Sequence, residues 1–151
     1  MDKLIKFLAT GLGLGMAPFA PGTFGTLLGT LIYYFLRTQP DLWYWRFVAG
    51  VAVFSIIVAH QAERIYKAKD CQKIVIDEVA GMLLSFFMLP VSWPIAVTGF
   101  FLFRAFDMFK IYPVNRFEPL PGSTGIMMDD LIAGIYTNLT MQLAVRFSGM
   151  A

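Results

Sequence analysis

The chain has 151 residues, 58% of them apolar and only 15% charged, with a net charge of +2. That composition excludes a disordered chain and points to one membrane-embedded domain over residues 1–151. No basic cluster marks a nucleic-acid face, and a single cysteine, Cys71, excludes a disulfide framework and Cys-rich zinc sites.

The 12 basic and 10 acidic residues leave four uncharged stretches, 7–36, 47–62, 79–103 and 131–145. Lys3 and Lys6 ahead of an apolar run resemble a signal peptide. However, Gly11, Gly13 and Gly15 break the run, and Pro21 after Ala20 is a poor cleavage site, so the segment is expected to stay. Residues 2–10 read as a short amphipathic surface helix and 11–25 as a Gly/Pro loop. An apolar helix over 26–36 follows. Next comes a connector over 37–46, whose Trp43, Tyr44 and Trp45 suit an interfacial aromatic belt. The pattern predicts a second apolar helix over 47–62, a polar and basic stretch over 63–76, and a third helix over 77–89. Pro90, Ser92 and Pro94 mark a turn. A fourth helix is predicted over 95–108, a proline-containing loop over 112–124 and a last helix over 129–146.

No run alternates as a strand does, and an open sheet cannot satisfy its edges in lipid. The expected fold is all-α, an integral membrane protein of four to five short apolar helices with a polar site at the cytoplasmic interface. A perpendicular span takes about 20 residues, and the two pieces of 79–103 reach about 20 Å each, so tilted or partly immersed helices are expected. Arg64, Lys67, Lys69 and Lys73 in one loop, and Arg104, Lys110 and Arg116 in another, place both loops in the cytoplasm.

Acidic groups beside apolar helices in a membrane protein invite a functional reading. They form three sets: Asp77 with Glu78, Asp107, and Asp129 with Asp130. Magnesium-like cations take oxygen ligands, commonly carboxylates plus substrate phosphate, and the three sets suit such a site if their helix ends meet. Arg104 and Asp107, three apart, share a helix face, and a guanidinium fork suits a phosphate. Plainer readings stand beside these. Asp77 and Asp129 also suit helix caps, Arg104–Asp107 an ordinary ion pair, Glu118 a solvated side chain, and Lys110 and Arg116 lipid-headgroup contacts. Thr23 in the loop over 11–25, or Thr26 at the helix start after it, suits a phosphate, while the glycines of the loop equally suit close helix packing.

One histidine, His60, excludes schemes that need two. Cys71 lacks the arginine six residues on that a cysteine-phosphatase loop needs; Asp77 stands there. Metal-assisted hydrolysis is the phosphate chemistry that remains.

Four motifs then carry a resemblance. They are Ala17-Pro-Phe-Ala-Pro-Gly-Thr-Phe-Gly25, Ile76-Asp-Glu-Val-Ala-Gly81, Phe103-Arg-Ala-Phe-Asp107 with Lys110, and Gly125-Ile-Met-Met-Asp-Asp-Leu-Ile-Ala-Gly134. In this order the chain resembles the bacterial phosphatidylglycerophosphatase A family from end to end. It departs from the family pattern where Ile111 follows Lys110 and where Cys71 follows Asp70.

The resemblance implies a magnesium-dependent lipid phosphatase of the bacterial inner membrane, its site facing the cytoplasm. The substrate it implies is phosphatidylglycerophosphate and the product phosphatidylglycerol, a step toward cardiolipin. Asp77, Glu78, Asp107, Asp129 and Asp130 are the pool of catalytic and metal-binding groups, and Thr23, Arg104 and Lys110 the substrate-binding ones. The expected partners are a phospholipid and the membrane. Two alternatives are a non-enzymatic membrane protein such as a cation carrier, and a phosphatase for another lipid phosphomonoester.

Overall fold

The computed structural model describes residues 1–36, 40–68, 71–90, 92–109, 112 and 123–148. Among the described residues lie six α-helices and no strand. The helices are α1 (Asp2–Ala9), α2 (Pro21–Leu36), α3 (Asp41–Tyr66), α4 (Ile76–Ser85), α5 (Trp93–Phe109) and α6 (Ser123–Phe147). A short 3-10 turn, Leu14–Met16, sits between α1 and α2.

Prolines stand at the starts of three helices, where a missing amide is harmless. Pro21 opens α2, Pro40 precedes α3, and Pro94 is the second residue of α5. Two predicted boundaries move for this reason. The expected loop over 11–25 turns helical from Pro21, and residues 41–46 of the expected connector form the first turns of α3, while 37–39 lie outside the described residues. The aromatic residues of that connector pack inward as well as outward: Tyr44 is buried and its hydroxyl donates to the Leu83 carbonyl at 2.6 Å.

The short helix α4 packs against α2, α3, α5 and α6. Its sequence explains why. Asp77, Val79, Ala80, Gly81, Met82, Leu83 and Ser85 are all buried, so no face of this helix is left for solvent. Small residues on its neighbours let the backbones close up. A Cβ on Gly25 of α2 would stand 2.8 Å from the Val75 Cβ, and one on Gly29 2.9 Å from the Met82 Cβ. Across the opposite face, Gly81 meets α6 so closely that a Cβ there would lie 2.5 Å from the Asp130 carbonyl oxygen. A Cβ on Gly134 would run into the Gly81 carbonyl oxygen.

Helix α4 ends at Ser85 rather than at residue 89. Asn138, buried on α6, supplies the partners its C-terminus lacks. Its Nδ2 donates to the Ser85 carbonyl at 3.0 Å and to the Phe87 carbonyl at 2.7 Å. The chain turns there, with Met88 at φ 52. Apart from α1, the other helices are longer: α2 and α5 have 16 and 17 residues, rising about 24 and 25 Å. The 26 residues of α3 rise about 39 Å, and this helix is long and apolar enough to cross a membrane.

The outward faces of the helices are apolar. Leu27, Leu31 and Phe35 on α2, Phe54 and Ile57 on α3, Val97 and Phe101 on α5, and Leu139 and Leu143 on α6 are exposed. Aromatic side chains gather at one end of the bundle, where Tyr34 stacks on Trp93 and Trp45 lies against Phe87. At the other end, a second apolar cluster of Ala9, Val58, Ala59, Ala62 and Ile74 fastens α1 across the last turns of α3.

Candidate active site

The end opposite the aromatic side chains holds the acidic residues. Helix α4 begins after Val75, whose amide donates to the Ala9 carbonyl at 2.9 Å. Asp77 and Glu78 fall in its first turn, where the helix dipole favours negative charge. Neither takes the N-cap position, which is Val75. Asp77 Oδ1 accepts from the Glu78 amide at 3.2 Å.

Helix α5 arrives with Arg104 and Asp107 in its last turns. As the three-residue spacing predicts, Arg104 Nη1 donates to Asp107 Oδ2 at 2.6 Å, with the two side chains 19% and 21% exposed. Helix α6 starts at Ser123, not at Asp129 as expected, so Asp129 and Asp130 lie in its second turn and cap nothing. Asp130 is buried and Asp129 half-buried.

These pieces line one pocket of about 510 Å³, whose wall includes Asp77, Glu78, Arg104, Asp107, Asp129 and Asp130. Ligand oxygens of Asp77, Glu78 and Asp130 all lie within 4.8 Å of one another. Glu78 Oε2 is closed off from solvent and has no hydrogen-bond partner among the described residues.

Electrostatics make this arrangement costly unless a cation joins it. Burial pushes the Asp77 carboxyl up, against its bonds with Glu78, and Asp107 adds to the rise. Burial raises Glu78 well above its usual range, reinforced by the charges of Asp77 and Asp130. Asp130 is also raised well above its ordinary value, first by burial and then by Asp77 and Asp107, with Arg104 opposing. Three acids forced toward their neutral forms, with an orphaned oxygen among them, suit a divalent cation held between them. The donor set is all oxygen, which fits a hard cation. The residues present therefore fit a metal.

The pocket brings together all five predicted carboxylates and Arg104. Thr23 is not among its lining residues. Ala20, Pro21 and Gly22 form that wall instead, and Thr26, fully buried, donates to the Gly22 carbonyl of its own helix at 2.9 Å. Lys110 lies outside the described residues, as do Arg116 and Glu118. Gly22 is the functional position that sequence reasoning passed over. A Cβ there would sit 2.5 Å from Glu78 Oε1 and 3.1 Å from Arg104 Nη1, so glycine leaves room for both charged groups. Gln72 also lines the pocket, and no spacing or motif pointed to it. His60 lines a separate cavity with Asp2 and Arg64, away from the carboxylates.

The chain matches the protein family described as Phosphatidylglycerophosphatase A over residues 7–145. It is 34% identical over 141 residues to the Phosphatidylglycerophosphatase A of Escherichia coli, covering 89% of this chain and 80% of the relative. To the Haemophilus influenzae protein of the same name it is 33% identical over 144 residues, 87% of this chain and 83% of the relative. A Bacteroides thetaiotaomicron protein, named as a candidate phosphatidylinositol-3-phosphatase, is 34% identical over 146 residues, 91% of each chain. No solved structure matches.

Proposed function

The chain belongs to the phosphatidylglycerophosphatase A family and is a phosphatase by that membership; on that premise we propose that it hydrolyses phosphatidylglycerophosphate to phosphatidylglycerol and phosphate, with magnesium, at the cytoplasmic face of a bacterial inner membrane. The observation that carries this reading is the convergence of carboxylates from α4, α5 and α6 with Arg104 on one pocket. A bare cation carrier has no need of the guanidinium.

Asp77, Glu78 and Asp130 would hold the cation, their oxygens being the ones gathered within 4.8 Å. When bound, a magnesium ion offsets charge on the phosphoryl oxygens and lowers the pKa of water. Asp107 fixes the Arg104 fork through the 2.6 Å bridge and so aims its remaining N–H groups into the pocket, toward a phosphate. Gly22 keeps that approach open. Water attacks phosphorus as the bond from phosphorus to the glycerol oxygen breaks. The proton lost by water reaches the leaving oxygen through Asp129, a wall carboxylate outside the metal-binding trio, while Asp107 holds Arg104. Such a transition state gains mostly from positioning and charge.

Membrane residence is supported by α3, which is long and apolar enough to cross a bilayer, and by the exposed apolar faces of α2, α5 and α6. Contiguous exposed apolar surface of this extent marks a membrane or partner interface. In this reading α4 and its turn enter the bilayer without crossing it.

The Bacteroides relative favours a second substrate, phosphatidylinositol 3-phosphate. Phosphate release by the purified protein in mixed micelles distinguishes them. Phosphatidylglycerophosphate is expected to turn over fastest, with magnesium and not with chelator. Faster release from the inositol lipid would transfer the assignment to the second reading. No release from either, with any divalent cation, would sink the metal-phosphatase site.

A further inference from the structure

A second pocket, of about 430 Å³, lies between α1, the loop after it and the segment joining α3 to α4. Its charged lining is Lys3, Lys6 and Lys73, and among the described residues no acidic side chain lines it. Lys3 and Lys6 are three apart, so α1 presents both ammonium groups on one side. The other side of α1, with Ile5, Leu8 and Ala9, is packed on the α3 cluster. Asp2, the nearest acid in sequence, faces a different cavity with His60 and Arg64.

The pocket is built rather than incidental. Lys6 Nζ stands 5.0 Å over the Tyr66 ring, the last residue of α3. Thr10 is buried; its hydroxyl accepts from the Gly13 amide at 3.1 Å, and its carbonyl accepts from the Gly15 amide at 2.8 Å. That bonding holds Gly11, Leu12 and Gly13 at positive φ and curls the loop into a wall. Gly15 is pressed against the Lys73 carbonyl, where a Cβ would collide, so the third lysine is held by backbone contact. Of its apolar lining, Phe7 and Met16 are exposed, at 49% and 67%.

We propose that this three-lysine pocket binds the phosphodiester headgroup of an anionic phospholipid from the surrounding bilayer, as a site separate from the carboxylate pocket. Three cations lining one pocket, with no acid beside them among the described residues, call for an anion, and the exposed apolar side chains of the lining give acyl chains a surface that a free phosphate would not use. Lys73 ties the two sites together, because its neighbours Gln72 and Ile74 line the carboxylate pocket. A lipid held at Lys73 therefore braces the segment that leads into Asp77 and Glu78. The inference rests on the membrane reading but not on the substrate assignment.

Binding can be read without turnover. The detergent-purified full chain is incubated with dioleoyl phosphatidylserine or dioleoyl phosphatidylcholine, and retained lipid is counted by native mass spectrometry. Wild type is expected to keep phosphatidylserine and release phosphatidylcholine. The Lys3→Ala/Lys6→Ala/Lys73→Ala variant is expected to lose phosphatidylserine retention by on the order of a hundredfold. An Arg46→Ala/Arg146→Ala variant, which removes cations outside the pocket, is expected to match wild type. Unchanged melting temperature and basal phosphatase rate in neutral detergent establish that the triple variant is folded. Equal retention of the two lipids by wild type would overturn the proposal, as would undiminished retention in the triple variant. Full displacement of lipid by millimolar inorganic phosphate would reassign the pocket to a soluble anion. Loss of phosphatase activity in every protein, with lipid retention as expected, would count against the enzymatic reading alone.

Discussion

Glu78 concentrates the tension of the site in one side chain. Its Oε2 is buried with no hydrogen-bond partner among the described residues, and its carboxyl is held well above the usual range by burial and by two neighbouring acids. A carboxyl with a raised folded pKa contributes stability that is whole below its ordinary pKa and is lost as the pH rises through the raised value. The metal-free protein should therefore melt lower at about pH 8 than at about pH 5. Glu78→Gln should melt higher than wild type in chelator at neutral pH, show a flatter pH dependence, gain little from magnesium and lose nearly all turnover. A melting series with and without magnesium checks this; a variant that melts lower than wild type in chelator contradicts it.

Arg104 makes the complementary case. Its fork is already aligned by Asp107, and lysine cannot reproduce two parallel bonds. Arg104→Lys should lose kcat by roughly a hundredfold, comparable to deleting a transition-state donor worth about 3 kcal/mol. A change confined to KM and sensitive to salt would place Arg104 among mere lipid contacts. At this scale the sequence was informative, because ionisable groups beside apolar runs are expensive and therefore visible. Thr23 stands in the first turn of α2 rather than in a loop, and it does not line the carboxylate pocket.

Among the elements, α4 governs the geometry. It carries Asp77 and Glu78, while Asp130 rides on α6, and the two helices touch backbone to backbone at Gly81 and Gly134. The separation of the carboxylates is set by that contact. Gly134→Ala should force the helices apart, costing about 1–3 kcal/mol of stability as overpacking does. It should weaken magnesium dependence of the rate more than it weakens folding. Melting temperature and the magnesium concentration for half-maximal rate report the two effects separately; a variant with wild-type magnesium dependence would show that the contact does not set the site. Close helix packing was one reading of the glycines over 11–25, beside a loop. What they pack against was not legible: Val75 and Met82 are remote in sequence, and only the assembled bundle sets them against Gly25 and Gly29. The same holds for the early stop of α4. An apolar run to residue 89 predicts helix, and the carbonyls it leaves at Ser85 and Phe87 are answered by Asn138, more than 50 residues away.

For the whole molecule, the charge-free stretches located the helices well and their lengths poorly. Helix α3 takes in Asp41 and Arg46 at one end and Glu63 and Arg64 at the other. A count of uncharged residues misses such turns because charged side chains are tolerated at helix ends, where they reach water. The arrangement of ends gives a topological prediction. The α3–α4 and α5–α6 connections both lead into the carboxylate pocket, so single cysteines at positions 70 and 116, in a Cys71→Ser background, should label from the same side of sealed vesicles. Labelling from opposite sides would separate the motifs and dissolve the site.

The height of the bundle reaches beyond the protein. Helices α2 and α5 rise about 24 and 25 Å, against a hydrocarbon layer of about 30 Å. Helices α3 and α6, of 26 and 25 residues, are longer than that layer, so the shortfall is confined to the α2 and α5 side. In the proposed membrane setting, lipid against that side would thin to meet it, at a cost of fractions of a kcal/mol for each ångström of mismatch. Headgroups would then be drawn down toward the carboxylates on one flank, and bilayer thickness would become a control on the proposed catalysis: shorter acyl chains relieve the mismatch, and longer ones oppose it.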